Sequence, residues 1–209
     1  MDNADRDSAW VTIDTPWSAS QLFEFASDLQ RLFRLNPYLE IQSWETDRKI
    51  LAEGQRVRCQ YLNEMNGVAR ELTLSVSGLK PNLGFILNYS EGLKRATEII
   101  IEPKSNGAVL MIKDWYDAVV ENPHQTPAQR QAQLKEVDRS LTPWGAAIRR
   151  HILGMARWGQ LPFYRAWRER FWLPMPPRNR RISRLIIWTT ALEFVVFILV
   201  FSIYWTAMD

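Results

Sequence analysis

Hydrophobic and polar positions change period three times along the chain, and each change predicts a different kind of element. Trp10-Val11-Thr12-Ile13 alternates as a short strand and stops at Thr15-Pro16. From there to Asn36-Pro37 the apolar residues Leu22, Phe23, Phe25, Ala26, Leu29, Leu32 and Phe33 recur at helical spacing, with Ser18 or Ser20 placed to cap the helix. Its apolar stripe is wide and needs a large partner surface. Between Leu39 and Ala118 the pattern becomes short alternating or apolar runs. The candidate strands are Glu40 to Trp44, Gln55 to Leu62, Ala69 to Ser77, Gly84 to Tyr89, Ala96 to Ile101 and Val109 to Tyr116. Turn residues divide them, and Asn66-Gly67 and Asn106-Gly107 are the clearest hairpin signals. With no helical insertion, this is an antiparallel meander.

Residues 119 to 130 carry two prolines and read as a connection. A helical region follows. Gln131 to Leu141 is polar and helix-favouring, and Pro143 marks a kink or restart. Trp144, Ile148, Ile152, Met155 and Trp158 then share one face at steps of three and four. After Pro162, Phe163, Trp167, Phe171 and Trp172 interleave with Arg165, Arg168 and Arg170. The last change is the largest. Leu185 to Trp205 is a twenty-one-residue run with one charge, Glu193, and at about 1.5 Å per residue it reaches the roughly 30 Å of a bilayer core. It is predicted to span a membrane.

Charge supplies an orientation. The net +3 divides into −4 over residues 1 to 120 and +7 over residues 144 to 209, where ten arginines and no lysine meet three acids. Arg178, Arg180, Arg181 and Arg184 immediately precede the span, so the larger N-terminal part is expected on the cytoplasmic side of the inner (cell) membrane, with a single-pass tail anchor. Trp188, Tyr204 and Trp205 sit where headgroups lie. With Arg165, Arg168 and Arg170, these arginines are expected at the membrane surface, against anionic lipid. The interleaved Arg and Trp residues also suit single-stranded nucleic acid. Their place beside a span favours lipid, and nucleic acid is not expected as a partner. The acidic, polar start predicts no secretory signal, and one cysteine, Cys59, excludes an internal disulfide.

Catalytic constellations are scarce. His124 and His151 have no second ligand at metal spacing, so neither a metal nor a cofactor is expected. His151 reads as a helix residue at the membrane surface or packed on the sheet, and Cys59 as a small core hydrophobe. Arg56, Arg58, Arg70, Glu71, Glu98, Lys113 and Asp114 fall inside runs that otherwise read as core, with Tyr61, Tyr89 and Trp115 beside them. Alternate exposure on a half-buried sheet accounts for most. A ligand-lining role is assigned to Arg58, Tyr61, Tyr89, Lys113 and Trp115. Within the span, Thr189 and Thr190 lie three and four residues before Glu193 and form with it a patch suited to a partner helix, from a second copy or a larger complex.

The order strand, helix, six-stranded meander, long helix resembles the START-like, polyketide-cyclase-like (SRPBCC) superfamily. The resemblance covers about residues 8 to 160. It is carried by Trp10-Val11-Thr12-Ile13, Pro16, the helix through Phe23, Phe25 and Leu32, Asn36-Pro37, and Asp114-Trp115-Tyr116. It implies an α+β helix-grip fold, a curved antiparallel sheet of about seven strands around a long C-terminal helix, with an apolar cavity between them. The division expected is a helix-grip domain over 1–160, a basic aromatic segment over 161–184 and a transmembrane helix over 185–206. Superfamily members mostly bind hydrophobic molecules. The leading expectation is thus a membrane-anchored protein that binds or transfers a lipid, quinone or similar ligand. An accessory or assembly subunit of a membrane complex is the second reading, and a cyclase-type enzyme the third.

Overall fold

The computed structural model describes residues 6–117 and 140–206. Period-two alternation becomes seven strands: β1 (Arg6–Thr15), β2 (Leu39–Thr46), β3 (Arg56–Asn63), β4 (Val68–Lys80), β5 (Gly84–Tyr89), β6 (Lys94–Lys104) and β7 (Gly107–Asp117). They form one antiparallel sheet in the order β1-β7-β6-β5-β4-β3-β2, so the meander closes by pairing its last strand with the first. On β7, Leu110, Ile112, Asp114 and Tyr116 are buried while Met111, Lys113 and Trp115 keep contact with solvent. One face therefore meets the core along its whole length. Both hairpin signals fall between paired strands, Asn66-Gly67 between β3 and β4 and Asn106-Gly107 between β6 and β7.

The apolar stripe after β1 forms two helices rather than one, α1 (Ala19–Ser27) and α2 (Leu29–Arg34). Ser18 caps α1 in a reciprocal box with Gln21. Asp28 leaves helical geometry, at φ −81° and ψ 80°, and its carboxylate accepts from the Arg31 N–H at 3.0 Å to start α2. The break bends the stripe so that Leu22, Phe25 and Ala26 on one helix and Leu29, Leu32 and Phe33 on the other are all buried. Helix α3 (Leu141–Trp158) lies against β1. Pro143 sits in its first turn, where the missing N–H costs nothing, and does not kink it. Trp144, Ile148 and Ile152 are buried as their spacing predicts, but Met155 and Trp158 overhang and reach solvent. Gly145 is where α3 comes closest to β1: a Cβ there would meet the Val11 side chain at 2.6 Å. His124 and residues 131–139 of the expected polar helix lie outside the described residues.

After α3 come a short helix α4 (Pro162–Trp167), a π-helical turn (Arg168–Trp172) and α5 (Pro177–Thr206). Helix α5 is long and apolar enough to cross a membrane, and it packs none of its apolar length inside the protein. It begins eight residues before the apolar run, and those residues are docked on the domain. Arg180 is buried and donates to the Asn36 carbonyl at 3.2 Å. Arg181 donates to the Pro37 carbonyl at 2.5 Å, pairs with Glu64 and lies 5.3 Å from the Tyr38 ring.

The Asn36 side chain holds the same corner together, donating to Ser140 Oγ at 2.7 Å and accepting from the Tyr38 N–H at 3.0 Å. Replacing Asn36 with Ala removes two hydrogen bonds at a buried position. We expect a loss of about 2–3 kcal/mol in stability, read as a lower midpoint in thermal melting of the detergent-solubilised protein. An unchanged midpoint would show that water replaces both bonds at no cost.

Candidate functional site

The inward face of β5, β6 and β7 carries a polar cluster that alternation alone would fill with aliphatic groups. Thr97 on β6 stands opposite Asp114 on β7, and both are fully buried. A β-bulge at Arg95 shifts the parity of β6 at its start, so that Lys94 points inward while Arg95 turns out to pair with Asp117 at 2.6 Å. The Lys94 ammonium reaches Asp114 Oδ2 at 2.8 Å, Thr97 donates to Oδ1 at 2.6 Å, and the Tyr116 hydroxyl lies 3.4 Å from Oδ2. Since the Thr97 proton is given to the carboxylate, the Tyr89 hydroxyl, 3.0 Å away, must donate to Thr97. The direction of the chain is thus set: Tyr89 to Thr97 to Asp114, with Lys94 balancing the charge.

Burial pushes the Tyr89 phenol well above its ordinary range, and the nearby Lys94 ammonium only partly offsets this, so Tyr89 stays a neutral donor. The ammonium of Lys94 is 5.2 Å from the Tyr89 ring and 5.9 Å from that of Trp144. These groups line a pocket at the end of the barrel-like concavity. Phe33, Tyr61, Leu72 and Trp144 supply apolar walls, and Asn36, Asn63, Arg70 and Lys94 supply polar ones. Arg70 lies across the turn between β5 and β6, so close to Gly92, at φ +97°, that a Cβ there would sit 2.4 Å from its guanidinium. The enclosed space is about 50 Å³. That is far below the roughly 300–1,000 Å³ of pockets that enclose drug-sized ligands. Trp144, whose indole donates to the Leu32 carbonyl at 2.9 Å, and Phe33, 5.5 Å from it, fill much of the concavity.

Of the five residues assigned a ligand-lining role, Tyr61 and Tyr89 are at this pocket. Arg58, Lys113 and Trp115 have the opposite strand parity and lie on the outer face. Arg58 is held by Glu71 at 2.6 Å, Lys113 sits 3.8 Å over the Trp115 ring, and the Trp115 indole meets Glu98 at 3.3 Å. Lys94, Thr97 and Asp114 complete the cluster. Asp114 had a visible signal, an acid in step with Ile112 and Tyr116 on the apolar face. Lys94 had none, because a bulge leaves no mark in the alternation.

The arginines are also redistributed. Arg165, Arg170, Arg178 and Arg184 are exposed, whereas Arg168 and Arg180 are turned into the protein and Arg181 is engaged by Glu64. They meet carbonyls and rings of the folded domain at the foot of α5, which a sequence read without tertiary contacts assigns to the surface. His151 is not at a surface. It is buried, stacked 5.6 Å from Phe25 of α1, and accepts from Arg168 through Nδ1 at 2.9 Å. Cys59 is buried as well, and burial pushes its thiol up to about 11, which disfavours the thiolate. Among the described residues no three of His, Cys, Asp and Glu gather as a metal site.

A curved antiparallel sheet closed by its first strand, gripping a long helix in its concavity, settles the architecture. The fold is a helix-grip. No protein-family model matches the sequence, and no curated protein matches it. Solved structures do. The di-domain ARO/CYC StfQ from the steffimycin biosynthetic pathway aligns over 74% of this chain at 10% identity and a TM-score of 0.53. The chain spans 53% of that protein, about one half. The Staphylococcus aureus protein of unknown function SA2116 aligns over 73% of this chain and 96% of its own at 14% identity and a TM-score of 0.50. Ara h 8.0201 aligns over 71% and 99% respectively, at 14% identity and a TM-score of 0.47. At such identities the likeness to StfQ and SA2116 carries the helix-grip architecture alone and leaves the chemistry to this chain's own residues.

His151 generates a pH prediction. Burial first, then the Arg168 and Arg31 charges, hold its pKa down to about 3. The unfolded chain regains an ordinary value near 6.5. As pH falls below that value the unfolded state takes up a proton that the native state refuses, so stability declines as pH drops from 6.5 towards 3. Between pH 7 and pH 5 the wild type should lose about 2 kcal/mol more than His151→Gln, measured by urea unfolding at both pH values. Parallel losses in the two proteins would contradict the neutral, accepting imidazole.

Proposed function

We propose that the protein is a membrane-anchored receptor for a hydrophobic molecule that carries a polar, hydrogen-bond-accepting head. The observation that carries this reading is the pocket in which the Lys94 ammonium, close to the Tyr89 and Trp144 rings, faces aromatic walls. A carbonyl, hydroxyl or anionic head meets the donors there, and the rings of Tyr61, Phe33 and Trp144 meet its apolar part. Quinones and lipids have this chemistry. With about 50 Å³ enclosed, only the head is housed by the pocket. The domain stands at the foot of α5, on the cytoplasmic side by the arginine bias, so the mouth works close to where apolar ligands reside.

Binding is favoured over catalysis because the one fully buried carboxylate among the described residues, Asp114, is sealed behind Thr97 and neutralised by Lys94. A second reading, a subunit of a membrane complex, draws on Glu193 with Thr189 and Thr190, all exposed along α5. It predicts that Glu193→Leu stays in the membrane and loses its partner in native electrophoresis of gently solubilised membranes. An identical assembly in both proteins would count against it.

The receptor reading is tested by solvent extraction of detergent-purified protein followed by mass spectrometry. An apolar molecule with an acceptor head should be recovered from the wild type. Val68→Trp, which plugs the half-exposed edge of the pocket without touching the Lys94 network, should reduce it at least tenfold. Equal recovery from both would place the ligand elsewhere, and no recovery from the wild type would remove the reading.

A further inference from the structure

The foot of α5 and the face of α3 enclose a second groove, of about 260 Å³, whose chemistry differs from that of the first. Five arginines line it: Arg150 from α3, Arg168 from the π-helical turn, and Arg180, Arg181 and Arg184 from the first two turns of α5. No carboxylate is among the lining residues. Arg181 is the only one of the five whose ion pair with an acid is seen among the described residues, through Glu64. Arg168 and Arg180 each bury their Nε with no hydrogen-bond partner, and Arg180 is 7% exposed. The guanidinium of Arg184 lies 6.0 Å from the Trp172 ring, which forms part of the wall with Tyr38.

Such a cluster is unfavourable on its own. Like charges repel, buried guanidinium groups lose hydration, and cations in the first turns of a helix oppose its dipole. Burial lowers the Arg168 pKa; Tyr164 opposes it, and the smaller effects of the Arg184 and Arg150 charges add to the lowering. The carbonyls of Asn36 and Pro37 satisfy two of the groups but neutralise none. An anion with several acceptor oxygens relieves all three penalties at once, and planar guanidinium forks match phosphate oxygens in pairs.

We infer that this groove is a binding site for a phosphate group, held chiefly by Arg150, Arg168, Arg180 and Arg184. The groove lies immediately before the apolar run of α5, at the depth of lipid headgroups if the helix spans a bilayer, so the source of the phosphate is an anionic phospholipid or the free ion. The site itself does not depend on the receptor reading. Only the lipid source rests on the membrane anchor.

Calorimetric titration of the full-length protein in a non-ionic detergent tests it, with dihexanoyl phosphatidic acid, dihexanoyl phosphatidylcholine and inorganic phosphate as probes. Phosphatidic acid should bind at least tenfold more tightly than phosphatidylcholine and weaken as salt is added. The double variant Arg150→Gln/Arg184→Gln, at two exposed positions, should keep the wild-type melting temperature and lose at least tenfold in affinity. Arg178→Gln, on the same helix but outside the groove, should not. Phosphate binding as tightly as the lipid assigns the free ion as the source, and preference for the lipid assigns a headgroup; both uphold the site. Affinity unchanged in the double variant, or equal weak binding of all three probes, overturns it. Because Val68→Trp reads the other pocket, the two sites fail independently.

Discussion

The turn at Asn36-Pro37-Tyr38 is the contact on which the arrangement of the molecule depends. It ends α2 and begins β2, and its Asn36 side chain reaches Ser140 at the start of α3. Its two carbonyls take the guanidinium groups of Arg180 and Arg181 at the foot of α5. Four elements, drawn from three separate parts of the sequence, thus share one corner. A carbonyl accepting a charge-assisted bond is a stronger tie than a neutral pair. It also has direction, so the apolar helix leaves the domain at an angle fixed by backbone atoms. The apolar helix is thereby tied to the helix-grip core, and Pro37 and Tyr38 of the same turn border the arginine groove.

The buried ion pair at the other pocket has a different character. Desolvating Lys94 and Asp114 offsets most of their attraction, so the pair adds little net stability over an apolar substitute, though removing one partner costs several kcal/mol. Aliphatic residues at those positions would serve the core as well. What the pair, Thr97 and Tyr89 supply instead is orientation: the hydroxyl protons all run toward Asp114, and that carboxylate holds the Lys94 ammonium at the pocket. A small, rigid, oriented donor set suits recognition of a head group more than enclosure of a whole ligand, which agrees with a concavity largely filled by Phe33 and Trp144.

Much of this was legible along the chain. Period-two runs and Asn-Gly turns located the meander, and the apolar run located α5, because both follow from local pattern and burial. The break at Asp28 was hidden because its residues keep helical spacing across it. The site was half legible. Tyr61 and Tyr89 stand in register with the inward face, but Arg58, Lys113 and Trp115 are one residue out of step, and a shift of one flips a side chain through the sheet. Lys94 escaped for the complementary reason: its bulge reverses parity at the start of β6, before Ala96, where the alternating run begins.

The arginines show where composition ceases to inform. Ten basic residues near an apolar run suggest a charged surface against lipid; Arg165, Arg170, Arg178 and Arg184 are exposed, whereas Arg168 and Arg180 are turned into the protein. Arg180 spends its hydrogen bonds on Asn36, Arg168 gives one to His151, and both leave an Nε buried and unpaired. Charge that is merely solvated has no reason to be gathered into a groove at such a cost in repulsion and lost hydration. The concentration of Arg150, Arg168, Arg180 and Arg184 around one space, with Glu64 diverted to Arg181 alone, separates a binding site from a basic patch. A patch would follow the membrane's average potential. A groove with convergent forks selects the phosphate itself.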